Sequence, residues 1–165
     1  MISIRPEREG DRGAISAVID VAFACADHSG GNEAKIVDAM RSDGDLAISL
    51  VATTGGNIVG HVALSHVRIA QAQDWYGLGP VSVLPECQRK GIGTALIEQA
   101  LEVATAQGAR GCVVLGDPAY YGRFGFAAGL GPTFTDAPAE YFMALAISGP
   151  VPQGEARYAP AFYYA

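Results

Sequence analysis

Val81-Ser82-Val83-Leu84-Pro85-Glu86-Cys87-Gln88-Arg89-Lys90-Gly91-Ile92-Gly93-Thr94 decides how this chain folds. A β-branched run halted at Pro85 predicts the end of a strand, and Gly91 and Gly93 predict a tight turn. Ile92, Leu96, Ala100, Val103 and Ala104 then recur at helical spacing, which predicts a helix to about Gln107 with Gly108 just past its end. The first turn of such a helix has unpaired N–H groups and a partial positive charge. Arg89 and Lys90 add two full charges, and Lys90 is one of only two lysines in the chain. A glycine turn at a helix start with flanking cations suits a phosphate.

Working outward, residues 2–4 read as a short strand. Asp11 is expected to cap a helix whose apolar positions are Ile15, Val18, Ile19, Ala22 and Phe23. Residues 28–31 read as a loop, and Asn32 is expected to cap a second helix bearing Ile36, Val37 and Met40. Residues 46–53 and 58–67 read as the arms of a hairpin around Gly55-Gly56-Asn57, with residues 75–84 as a third strand. After the long helix, residues 112–115 are wholly apolar and suit a strand buried on both faces. A helical turn near residues 119–123, a strand at 141–147 and a strand-like Phe162-Tyr163-Tyr164 complete the chain. An antiparallel meander followed by a β-α-β crossover implies an α+β fold of three layers, a mixed central β-sheet flanked by helices. One domain, 1–165, is expected, with a core at 2–147 and an extension at 148–165.

The composition excludes several classes. Half of the 165 residues are hydrophobic and 17% are charged, too apolar for a disordered chain. The net charge of −6 leaves no basic stripe for nucleic acid. No apolar run approaches the roughly 18 residues of a membrane span, and the charge at Arg5 argues against a signal peptide. Cys25, Cys87 and Cys112 lack zinc-ligand spacing, so no metal is expected and the thiols are read as free in the cytoplasm. Neither G-x-x-x-x-G-K-[ST] nor G-x-G-x-x-G is present, which disfavours a P-loop or a dinucleotide fold.

Gln88-Arg89-Lys90-Gly91-Ile92-Gly93 matches the Q/R-x-x-G-x-G/A signature of the GNAT superfamily of acyl-CoA-dependent N-acyltransferases. Tyr121-Gly122-Arg123-Phe124-Gly125-Phe126 resembles the Tyr-x-x-x-Gly-Phe that closes the GNAT core. Residues 2–147 resemble that family in their order of elements, and residues 113–121 are similar to a subgroup of small stand-alone bacterial-type acetyltransferases. The resemblance implies acetyl-CoA as acyl donor, direct transfer to a primary amine of a small molecule or peptide, and homodimers in many members. It implies that the backbone of Val81, Ser82 and Val83 pairs with the pantetheine arm. It further assigns the pyrophosphate to Gln88, Arg89, Lys90, Gly91, Ile92, Gly93 and Thr94, through the amides from Arg89 onward. Tyr121 would be the general acid that protonates the departing thiolate. The Asn found about seven residues before this Tyr in many members is absent, because the loop is shortened to Gly116-Asp117-Pro118.

The base stays open at this level. Glu33 is the first candidate, although the plainer reading is a solvated first-turn carboxylate complementing the helix dipole. His61 and His66, five apart on one strand and so on opposite faces, or a water, are the others; Glu86 reads as a surface residue. Two further readings remain beside the enzyme: a catalytically silent acyl-CoA-binding sensor, and an unrelated nucleotide-binding domain.

Overall fold

The computed structural model describes residues 1–24 and 30–165; Cys25, His28 and Ser29 lie outside the described residues. Seven strands form one sheet in the order β1-β2-β3-β5-β6-β9-β7. They are β1 (Ser3–Pro6), β2 (Leu46–Thr54), β3 (Asn57–His66), β5 (Trp75–Val83), β6 (Gly111–Leu115), β9 (Phe142–Ala146) and β7 (Ala127–Ala128). Among the described strands of this sheet β5 and β6 alone run parallel, joined by the crossover helix α3 (Ile92–Ala106), so the sheet is mixed. A second sheet, which the sequence reading did not foresee, orders β4 (Arg68–Ile69), β10 (Gly154–Arg157) and β8 (Pro132–Thr133) as β4-β10-β8.

Side-chain alternation sorts the core into layers. Leu50, Val62, Leu64, Leu78, Cys112, Val114 and Met143 point to one face and pack with Leu96, Ile97 and Ala100 of α3. On the opposite face, α1 (Arg12–Ala24) and α2 (Glu33–Asp43) bury Ile15, Ile19, Val37 and Met40 with Val51. The other half of that face carries Trp75, Val113, Phe142 and Ala144, covered by Ile69 and Ala156 of the small sheet. Cys112, Val113 and Val114 are at most 1% exposed, as a two-face-buried strand requires, but Leu115, expected to share that burial, is 44% exposed because pairing with β5 ends at Val114.

Three local expectations are corrected. Asp11 ends a 3-10 turn (Glu9–Asp11) instead of capping α1 with its side chain. Its carboxylate accepts the Arg8 amide at 2.7 Å and an Arg5 nitrogen at 2.7 Å, a better-charged pairing than a helix amide. Asn32 precedes α2 without a side-chain cap; its Nδ2 donates to the Ala165 carbonyl at 2.9 Å. Phe162, Tyr163 and Tyr164 lie in a short helix, α5 (Ala161–Tyr164), not a strand. Burial of Ala161 and Phe162 against the α1/α2 layer sets that conformation, overriding local β-propensity.

Candidate active site

Pairing between β5 and β6 runs from Trp75↔Gly111 to Leu78↔Val114 and stops there. The next two residues of β5 are Gly79, whose φ of 131° suits glycine alone, and Pro80, which has no N–H to donate. Beyond them β5 stays with β3 (Val62↔Val81, His61↔Ser82, Gly60↔Val83), so a gap opens toward β6. The Leu84 amide donates to the Val59 carbonyl at 2.9 Å. Antiparallel alternation therefore turns the backbone of Ser82 toward β3 and that of Val81 and Val83 toward the gap. Ser82, grouped with its neighbours on sequence, offers the gap no backbone group. The Val83 carbonyl is held by Gln88 Nε2 at 3.0 Å, which leaves the Val81 amide and carbonyl and the Val83 amide.

The glycine turn follows at one end of this gap. The first helical bond of α3 is Ala95 N–H to the Gly91 carbonyl, 3.0 Å, so the amides of Ile92, Gly93 and Thr94 have no helical partner. Gly91 enters the helix at φ 81°, and Arg89 is itself left-handed at φ 64°. The amides border a cleft of about 530 Å³ walled by Val83, Cys87, Gln88, Tyr120 and Arg123. A Cβ on Gly93 would enter this cleft, 3.5 Å from the Tyr120 hydroxyl and 3.8 Å from Val83 Cγ2. Arg89 and Lys90 are exposed beside it. The donor set, backbone amides plus Arg89 and Arg123 with no carboxylate among the described lining residues, fits a pyrophosphate.

At the other end of the gap, Leu78, Gly79, Pro80 and Leu115 form the floor of a second cavity, about 460 Å³ in volume. Its walls come from α1 and α2 (Phe23, Glu33) and from the segment after β8 and the tail (Phe134, Asp136, Tyr158, Phe162). The two cavities are separated by the stretch from Pro80 to Val83, three residue steps or about 10 Å of strand.

A family model described as Acetyltransferase (GNAT) family matches residues 11–126. The chain belongs to the GNAT acetyltransferase family. A crystal structure of a GNAT family acetyltransferase from Brucella melitensis in complex with acetyl-CoA is 45% identical, with TM-score 0.88 and 98% of each chain covered. The GNAT family N-acetyltransferase YhbS from Escherichia coli, solved in complex with CoA, is 28% identical, with TM-score 0.86 over 98% of this chain and 92% of that one. In sequence, the uncharacterised N-acetyltransferase YhbS of Escherichia coli K12 is 40% identical over 97 residues, 57% of this chain. That match spans 58% of the relative's length.

Within the GNAT fold, Tyr121 ends the four-residue helix α4 (Pro118–Tyr121), whose start is capped by Asp117 accepting the Ala119 amide at 2.9 Å. Its ring sits among Tyr120, Phe124 and Phe126, centroids 5.1, 6.4 and 6.1 Å away. Burial, with a lesser push from Tyr120, drives its hydroxyl up to about 12, so it stays protonated. The hydroxyl of its neighbour Tyr120 lies 3.3 Å from Thr94 Oγ1, with Arg123 4.6 Å over its ring. Tyr120 and Arg123 therefore wall the cleft beside the unpaired amides, a placement that spacing alone did not reveal, although both lie within or beside the second motif.

The base candidates separate. His61 is 0% exposed and lines neither cavity. Its Nε2 lies 2.8 Å from Ser49 Oγ, which donates to Glu7 Oε1 at 2.6 Å, and Glu7 is forked by Arg41 at 2.7 Å. Burial lowers the His61 pKa to about 4, against a smaller opposing pull from Glu7. His66 is exposed, its ring tilted 5.3 Å from Tyr76, and it lines a different groove with Arg68 and Arg157, while Glu86 is exposed. Glu33 alone of the candidates lines the second cavity. Its Oε2 accepts the Gly30 amide at 3.2 Å. Among the described residues no His, Cys, Asp and Glu cluster has the makings of a metal site, and no helix is long and apolar enough to cross a membrane.

Proposed function

We propose that this chain transfers an acetyl group from acetyl-CoA to a primary amine by direct attack of the amine on the thioester. The observation that supports it most is the loss of β5–β6 pairing after Leu78↔Val114, between an anion cradle and an apolar cavity. The gap-facing backbone of Val81 and Val83 receives the pantetheine arm as an added strand. The amides of Ile92, Gly93 and Thr94, with Arg89, Lys90 and the Thr94–Tyr120–Arg123 wall, hold the pyrophosphate. The donor supplies an activated acyl thioester, and a gap-facing strand N–H polarises its carbonyl.

The chain's own task is then placement and proton traffic. As the C–N bond forms the C–S bond breaks, and the Tyr121 hydroxyl gives its proton to sulfur and regains one from solvent. The surplus proton of the amine passes to Glu33 or to a water held by it. The unpaired Cys87 and Cys112 suit a reducing compartment, and we place the reaction in the cytoplasm.

Thiol release from acetyl-CoA in the presence of primary amines tests this reading, with calorimetric binding of acetyl-CoA alongside. Release that depends on both substrates is the expected result. Binding of acetyl-CoA with no release across a broad amine panel would leave a silent sensor. Affinity for ATP or NAD without affinity for coenzyme A would overturn the site assignment.

A further inference from the structure

The second cavity has a chemistry of its own. It sits where the α1/α2 layer meets the layer made by the small sheet and tail, and its floor is the point at which β5 leaves β6. An acceptor entering here arrives at the open end of the strand gap. Its volume of about 460 Å³ lies within the range of small-molecule pockets, roughly 300–1,000 Å³.

The wall is aromatic. Tyr158 is packed at 5.3 Å from Phe134 and 5.1 Å from Phe162, with Phe23 contributed by α1. Two carboxylates, Glu33 and the exposed Asp136, belong to the lining, and among the described lining residues there is no Lys, Arg or His. This wall is fixed to α2 through the tail. Asn32 Nδ2 holds the Ala165 carbonyl at 2.9 Å, and the Tyr164 hydroxyl donates to Asp43.

We infer that this cavity selects a primary amine carrying an aromatic or comparably bulky apolar body and no carboxylate. The inference rests on the acetyltransferase reading. An ammonium is drawn by the carboxylates and by the faces of the rings, and its apolar body replaces water along the ring wall. An amino acid brings a second charge of the wrong sign into a cavity with two carboxylates and no cation among the described residues. A polyamine has no ring or branched body to fill the wall, and its additional hydrated ammonium groups would have to be stripped of water against apolar surface.

Phenylethylamine and phenylalanine differ only by a carboxylate, so they are the central pair of the test. Spermidine and methylamine are the polar and minimal comparisons. With the full chain and saturating acetyl-CoA, kcat/KM for phenylethylamine should exceed that for each of the other three at least ten-fold. Asp136→Asn should narrow the phenylethylamine-to-phenylalanine ratio several-fold while leaving the KM for acetyl-CoA unchanged. Binding of the same four amines to the CoA-loaded protein, read by calorimetry, needs no turnover. Preferred binding of phenylethylamine without thiol release would uphold the pocket and sink the transferase reading. Efficient turnover of phenylalanine or spermidine above phenylethylamine would sink the pocket and uphold the transferase. Absence of both binding and release would overturn the two together.

Discussion

A Cβ built on Gly116 would stand 2.5 Å from Cε2 of Tyr121, so the aromatic ring is seated directly on the backbone of the loop that leaves β6. The shortened Gly116-Asp117-Pro118 loop thus sets where the tyrosine hydroxyl points. Tyr121→Phe keeps the ring and removes the proton. General-acid assistance is worth about 10²–10⁴-fold, so kcat should fall at least ten-fold with KM for acetyl-CoA and thermal stability nearly unchanged. Because burial holds the hydroxyl up to about 12, no alkaline loss of kcat from this group should appear before pH approaches that value. Gly116→Ala should lower kcat as well, by shifting the ring, at about 1–3 kcal/mol in stability. A Tyr121→Phe enzyme with unaltered kcat would take the residue out of the chemistry.

The cradle makes a separable prediction. Gly93 has an ordinary helical backbone, and its missing Cβ faces the cleft, so Gly93→Val should raise KM for acetyl-CoA strongly with little loss of stability. Gly91→Val would add roughly 1–2 kcal/mol of left-handed backbone strain and is the poorer probe. Tyr120→Phe removes the hydroxyl beside Thr94 and should raise the same KM several-fold while sparing kcat. Calorimetric titration with acetyl-CoA distinguishes these variants. Unchanged affinity in Gly93→Val would show that the pyrophosphate lies elsewhere.

Direct transfer needs no thiol. Cys112 is fully buried and its thiol is pushed up to about 12 by burial, so it should resist alkylation until the chain unfolds. Cys87 is half-buried in the cradle wall, and a bulky adduct there should raise KM for acetyl-CoA without abolishing turnover. Replacing each of the three cysteines by Ala should leave kcat within about two-fold, an estimate that follows from their having no chemical role. An acetyl group trapped on cysteine at a kinetically competent rate would contradict the mechanism.

His61 predicts a stability profile. Its folded pKa of about 4 lies below the ordinary 6.5, so the unfolded chain takes up a proton through that window and the folded chain does not. Stability is therefore full above pH 6.5 and declines as pH falls toward 4, by about 3 kcal/mol for this one group. Chemical denaturation between pH 7 and 4.5 measures the slope, and His61→Gln should flatten it. Equal slopes in the two proteins would mean that His61 does not stay neutral in the fold.

Pairing partners and motifs were readable because they depend on spacing. The 3.6-residue stripe from Ile92 to Ala104 and the apolar run at residues 112–115 each required one kind of burial, and the structure provides it everywhere but at Leu115. The Gly91-Ile92-Gly93 turn likewise carried its own chemistry, because unpaired helix amides are a local consequence of where a helix starts. The small sheet was not readable. Its strands are two to four residues long, too short for a period, and β10 pairs with β8 across 22 residues (Pro132↔Gly154) and with β4 across 87 or more (Ile69↔Ala156).

By itself, then, the sequence determined the alternation of strands and helices, the glycine turn at Gly91-Ile92-Gly93 with its unpaired helix amides and the position of Tyr121, all of which are written within a turn or two of chain. Tertiary structure alone decided which backbone groups face the gap, since that depends on β3 claiming Ser82 and leaving Val81 and Val83. It also decided that His61 is buried and that Glu33 faces a cavity, and it gathered Phe23, Phe134, Tyr158 and Phe162 around that cavity from distant segments. Local pattern fixes what a residue can become within its own element. Which face meets which neighbour is set by layers packing together, and no period in the sequence records it.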